Sequence, residues 1–191
     1  HQSDHIIFSS AGMEIDSFDW KGYFIDSTLL MKRAVLFSPT IIASRNKNIP
    51  FLHGVEKMMP TRLFAKITFP LRIDSVLIED GRVEVNEISD VTGREGKIDI
   101  ADLNAKIRNI RNRFVDGDSI SISARGKLLG APVYSFKYLE SYADSLSGFR
   151  LNARMGSMDL THLSSVTNPL AAVNIERGKS DTMLARISGN K

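Results

Sequence analysis

Between Phe69 and Met155 apolar and polar residues alternate in short runs, separated by Asp80-Gly81, Gly93-Arg94-Glu95-Gly96, Asp116-Gly117-Asp118 and Gly130-Ala131-Pro132. Alternation with period two sends every second side chain to one face of a strand, so these runs predict antiparallel strands sharing one apolar surface. Leu71, Ile73, Val76 and Ile78 lead into Asp80-Gly81, which predicts a hairpin turn because glycine accepts the positive φ that tight turns need. Val83, Val85, Ile98, Ile100, Ile120, Ile122, Tyr134 and Phe136 form the candidate apolar face. Phe149, Leu151, Ala153 and Met155 supply a last strand before Gly156.

Upstream, Ile6 to Arg45 carries strand-like segments, with Met13 and Ile15 alternating with Glu14 and Asp16, and Leu29 to Phe37 alternating until Ser38-Pro39. Proline there implies a sheet edge or a bend. Pro50, Gly54, Pro60 and Pro70 mark 46–70 as a connection, with a helical turn through Arg62 to Lys66. After Gly156, Asp159 caps a predicted helix through Leu160, Leu163 and Val166, which Asn168-Pro169 ends because proline disfavours helical geometry at the preceding residue. Strand-like alternation resumes at Val173 and Ile175 and continues through Thr182, Leu184, Arg186 and Ser188 toward Lys191, so a longer parent protein is expected.

One segment reads two ways. Leu103, Ile107, Ile110 and Phe114 lie on one helical face, yet Leu103, Ala105 and Ile107 also alternate as a strand, with a bulge near Asn109 accounting for the phase change to Arg111 and Arg113. The fold class that follows is mainly β: a curved antiparallel meander with one or two short helices packed against or capping it. We expect one β-rich domain over 1–191, with 46–70 as the connection and 71–191 as the main meander.

Composition narrows the chemistry. The 191 residues are 42% hydrophobic and carry a formal net charge of +3, with a sequence pI near 9.2, as expected for a globular chain with a real core. The absence of cysteine excludes thiol catalysis, disulfides and cysteine-held zinc. No apolar run reaches the roughly 20 residues that span a bilayer, and His1-Gln2-Ser3-Asp4 lacks the pattern of a signal peptide.

His1, His5, His53 and His162 have no metal-binding spacing. Gly178-Lys179-Ser180 ends like a phosphate loop, but Val173 stands where the first glycine is required. Asp116-Gly117-Asp118 begins like a calcium loop, but Ile120 and Lys127 occupy ligand positions. No nucleophile elbow is present, and the carboxylates Glu79, Asp80, Glu84 and Glu87 read as turn and surface residues. The sequence thus predicts no enzyme, no metal and no cofactor. Lys106, Arg108, Arg111 and Arg113 form the densest basic segment and are candidate contacts for anionic head groups; nucleic acid is disfavoured, since no aromatic residues interleave with them.

The order from Phe69-Pro70-Leu71-Arg72-Ile73 through Glu79-Asp80-Gly81-Arg82-Val83-Glu84-Val85, followed by Gly96-Lys97-Ile98-Asp99-Ile100-Ala101-Asp102-Leu103-Asn104-Ala105-Lys106-Ile107-Arg108-Asn109-Ile110, resembles repeating segments of AsmA-like proteins of the Gram-negative envelope. The likeness extends to Ile120 to Pro132, Phe149 to Met155, Met158-Asp159-Leu160, Asn168-Pro169-Leu170 and, upstream, Val35 to Arg45. It implies that Leu103 to Ile110 is strand. It further implies a periplasmic piece of a protein anchored in the inner membrane outside this segment, similar to bridge-like lipid-transfer proteins, with a phospholipid or other acyl lipid as ligand and envelope proteins as further partners. Two expectations for the apolar face follow: open to acyl chains, or wholly covered by the Asp159 to Val166 helix in a structural or interaction module.

Overall fold

The computed structural model describes residues 4–50 and 58–190, with backbone alone at residues 131–133. Residues 51–57 of the predicted connection lie outside the described residues. Ten strands join in one open, mixed sheet. Strands β1 (His5–Ser9) and β2 (Gly12–Phe18) lead through helix α1 (Trp20–Asp26) to β3 (Leu29–Phe37) and β4 (Thr40–Asn46). Helix α2 (Pro60–Ala65) precedes the meander of β5 (Leu71–Ile88), β6 (Glu95–Arg111), β7 (Ser119–Leu128), β8 (Ala131–Ser141) and β9 (Phe149–Met155). A short ladder of β10 (Met158–Asp159) with β11 (Lys179–Ser180) brackets a 3-10 turn (Leu160–Leu163) and helix α3 (Ser164–Ala171); β12 (Met183–Gly189) closes the order on the outer side of β9.

The predicted meander is present from β5 to β9 with every pairing antiparallel. The sheet is mixed because β3 and β4 both lie parallel to β5. They pair with its two halves in one register: Phe37 stands beside Glu79 and Thr40 beside Arg82. Together they make one long strand interrupted at Ser38-Pro39, the bend expected from the proline. β1 and β2 repeat the pattern against β4 and β3, interrupted at Ser10-Ala11.

Asp80-Gly81 is not a hairpin turn. It lies inside an 18-residue strand as a bulge. Asp80 adopts φ 53°, and a Cβ on buried Gly81 would come within 2.8 Å of Ile78 and 3.3 Å of both the Leu103 carbonyl and Pro39. A turn and a bulge make the same local demand for positive φ, so the dipeptide alone could not separate them. The actual tight turn is Leu129-Gly130, with φ of 53° and 70°, between β7 and β8. Leu103 to Ile110 is strand within β6, and Asn109 at φ 65° marks the phase change.

Helix α3 continues through Pro169 to Ala171, past the expected stop. The loop between β5 and β6 holds its C-terminal end: Ser89 Oγ donates to the Leu170 carbonyl at 2.7 Å, Thr92 Oγ1 to that of Pro169, and Arg94 to Asn168 Oδ1 at 2.6 Å. Tertiary hydrogen bonds thus outweigh the local preference against helix before proline. The buried core cluster is Leu71, Ile110, Ile120 and Tyr142, with Phe64 of α2 and Ile67 packed against it. Asn112 closes this end by donating to the Ile67 and Phe69 carbonyls and accepting from the Leu71 N–H.

Candidate functional site

The ladder register assigns side chains to the two faces of the sheet. Ile122 stands opposite Ile107 and Tyr138, Ala124 opposite Ala105 and Phe136, and Val83 and Val85 opposite Ile100 and Ile98. All eight residues of the sequence-derived apolar set therefore share one face. The same face continues through Leu151, Ala153 and Met155 of β9 to Met183, Ala185 and Ile187 of β12, and through Ile41 and Ala43 to Ile6 and Phe8 of β1.

Cover over this face is partial. At one end lies α2. Here Glu140, opposite Ile120, is fully buried at 0% exposure. Its carboxyl oxygens accept from the Thr61 N–H at 3.3 Å, the Thr61 hydroxyl and the Tyr138 hydroxyl at 2.8 Å. Burial pushes the Tyr138 phenol well above its ordinary range, and the adjacent Glu140 adds to the effect. Because every acceptor contact is made inside the protein, the carboxyl group sits in an apolar end of the sheet without an orphaned partner.

At the other end lies α3. Leu170 seats on Gly96, where a Cβ would approach it to 2.5 Å. Between these covers a groove of about 620 Å³ stays open, walled by Leu128, Tyr134, Phe136, Leu151, Met155 and Met183. Burial raises the Tyr134 phenol, as expected for a hydroxyl on an apolar wall. The groove contains polar atoms only at its margin and no pair of titratable groups suited to acid/base work. Among the described residues no cluster of ligands for a metal ion occurs, and no helix is long and apolar enough to cross a membrane.

The basic segment does not act as a unit. Lys106 and Arg108 point away from the apolar face, paired in register with Ser123 and Ser121. Beyond the Asn109 bulge, Arg111 is bound to Asp118 at 2.9 Å, and Arg113 is exposed in the following loop. A lipid lying in the apolar groove cannot reach this set through the sheet. Sequence reasoning also missed Glu140: a glutamate at the end of a strand reads as a surface residue, and only its place two and four residues after Tyr138 and Phe136 in the same alternating strand could have indicated an inward position. Comparison of the chain with protein-family models, curated proteins and solved structures returns no match.

Proposed function

We propose that this chain is a non-enzymatic, periplasmic segment of an AsmA-like envelope protein, anchored in the inner membrane by a part outside it, which handles acyl lipid or passes it between membranes along the apolar face of its sheet. The observation that carries this reading is the open apolar groove between the two helix-covered ends. Its volume falls in the range of small-molecule sites, about 300–1,000 Å³. An acyl chain needs no directed polar contact: each buried methylene gains roughly 0.8 kcal/mol, so a ten-methylene stretch gains roughly 8 kcal/mol before the cost of immobilising it. A groove of aliphatic, aromatic and methionine side chains is suited to that ligand, and the resemblance of the strand pattern supplies the envelope context.

Lipid extraction and native mass spectrometry of the purified chain should find phospholipid, and a fluorescent fatty acid should bind. Leu151→Glu, which places a charge on the groove wall, should abolish probe binding while far-ultraviolet circular dichroism stays unchanged. A lipid-free protein that also ignores the probe overturns the reading.

A separate observation favours the second reading, a protein-interaction module. Helix α1 exposes Trp20, Phe24 and Ile25 at 64%, 74% and 69%, and Phe18, Trp20, Tyr23 and Phe24 form one aromatic cluster, with Trp20 stacked on Phe24 and the other pairs edge-on or tilted. Contiguous exposed apolar surface of this kind marks interaction sites. Crosslinking in cells that captures protein partners through Trp20, and loses them in Trp20→Ser/Phe24→Ser, supports that reading.

A further inference from the structure

The face opposite the apolar groove carries a second groove, of about 700 Å³, which crosses six strands from β5 to β12. Its floor is backbone and its walls are two rows of outward side chains. Each of five successive strands contributes one cation: Lys106 from β6, Arg125 from β7, Lys137 from β8, Arg154 from β9 and Arg186 from β12.

These cations alternate between the walls. One row reads Lys106, Ser123, Lys137, Asn152, Arg186 across the ladder, and the other reads Asn104, Arg125, Ser135, Arg154, Leu184. No cation stands directly opposite another, which avoids the cross-strand repulsion of like charges. With strands about 4.8 Å apart and the rows about 7 Å apart, the charges form a zigzag roughly 19 Å long.

None of the five makes an ion pair among the described residues, and Glu79 is the single carboxylate on the walls. Toward the other end of this face the charges are matched: Arg82 pairs with Asp99, Lys97 with Glu84 and Lys127 with Asp102. Among the described residues, the groove thus gathers five cations without an ion-pair partner on adjacent strands, while the matched charges lie beyond its end.

We propose that this groove binds an unbranched acidic glycan. The two rows, about 7 Å apart, suit a single extended chain laid between them. The walls carry no aromatic side chain on which nucleobases could stack. The residues between the cations, Asn104, Ser123, Ser135 and Asn152, both donate and accept hydrogen bonds. Sugar hydroxyls use both capacities, whereas a polyphosphate chain offers acceptors only and leaves the asparagine carbonyls unmatched. Arg125 and Arg154 can each take a carboxylate in two parallel hydrogen bonds. Of the sequence-predicted head-group contacts, only Lys106 belongs to this groove.

Fluorescence anisotropy with labelled decagalacturonate and the full 191-residue chain tests the proposal. The probe should bind at low salt and weaken as salt screens the exposed charges. Arg125→Gln and Lys137→Gln should each lower affinity about tenfold, the range of one charge-assisted hydrogen bond, with thermal unfolding unchanged because both sites are exposed. Arg177→Gln, which removes an equal charge outside the groove, should leave affinity unchanged. Asn104→Leu/Asn152→Leu should lower affinity for decagalacturonate and spare that for a polyphosphate of equal charge. No binding of decagalacturonate, an equal loss from Arg177→Gln, equal or tighter binding of polyphosphate by the unaltered chain, or binding to anionic vesicles alone would each overturn it.

Discussion

At its α2 end and at its middle, the apolar face presents similar side chains to different surroundings. Under α2, Ile120 is 1% exposed and Glu140 has every oxygen engaged. In the middle, Leu151, Met155 and Tyr134 are equally able to form a core but have no element over them and line an open groove. The difference lies in the cover, since both places draw on the same strands with the same period. A sheet face becomes core where a helix with matching apolar residues, here Phe64, can be tethered over it. Where the chain spends its polar contacts elsewhere, the face remains a surface.

Mutations can break this comparison at graded strength. Ile120→Ala should cost the most, about 4 kcal/mol in urea unfolding, as a cavity opens in packed surroundings. Leu151→Ala in the groove should cost less than about 1 kcal/mol, since solvent already reaches that wall. Equal losses at the two sites would show that the groove is covered in solution. Glu140→Leu should cost about 3 kcal/mol, because the Thr61 N–H and hydroxyl and the Tyr138 hydroxyl lose a buried acceptor; α2 should then exchange its amide hydrogens faster than β7.

At the α3 end, Gly96→Val should cost about 2 kcal/mol by forcing Leu170 from its seat, and the open groove should lengthen toward Ile98. The smallest effect concerns alkaline pH. The Tyr138 phenol is raised in the fold, so its contribution is complete below the ordinary tyrosine value near 10 and is lost as pH rises through the folded value. Melting temperature should fall above about pH 10, less steeply in Tyr138→Phe. Tyr134 and Tyr142 shift in the same direction, so the slope should diminish without vanishing.

The period-two alternation made most of the sheet legible. Strands β7 to β9 and β12 lie where the pattern places them, whereas the second half of β6 read equally well as a helical face through Leu103, Ile107, Ile110 and Phe114 or as a strand with a bulge near Asn109, and the structure makes it strand. Other features depend on information that neighbouring residues do not hold. Whether Asp80-Gly81 turns or bulges depends on Pro39 and Leu103, each more than twenty residues away. The helix runs through Pro169 because Ser89 and Thr92 hold its carbonyls. The five cations of the second groove are scattered from Lys106 to Arg186, and their alignment appears only when the register of four ladders is known. The clustered cations drew attention in the sequence, yet a single bulge separates them.

The irregular positions Ser10-Ala11, Ser38-Pro39, Asp80-Gly81 and Asp102-Leu103 lie on one line across four adjacent tracks of the sheet. Directly before the line the apolar side chains of β5 have even numbers, Val76 and Ile78; directly after it they have odd numbers, Val83 and Val85. β6 changes parity at the same level, from Ile98 and Ile100 to Ala105 and Ile107. Each track thus gains one residue where its neighbour does. Over evolutionary time such a chain can change length along this line only in concert: a lone deletion at Asp80 turns half a strand inside out relative to its neighbours, while matching deletions across the tracks restore agreement. The crease therefore ties the residue counts of segments far apart in the chain to one another, and related sequences should vary there together or not at all.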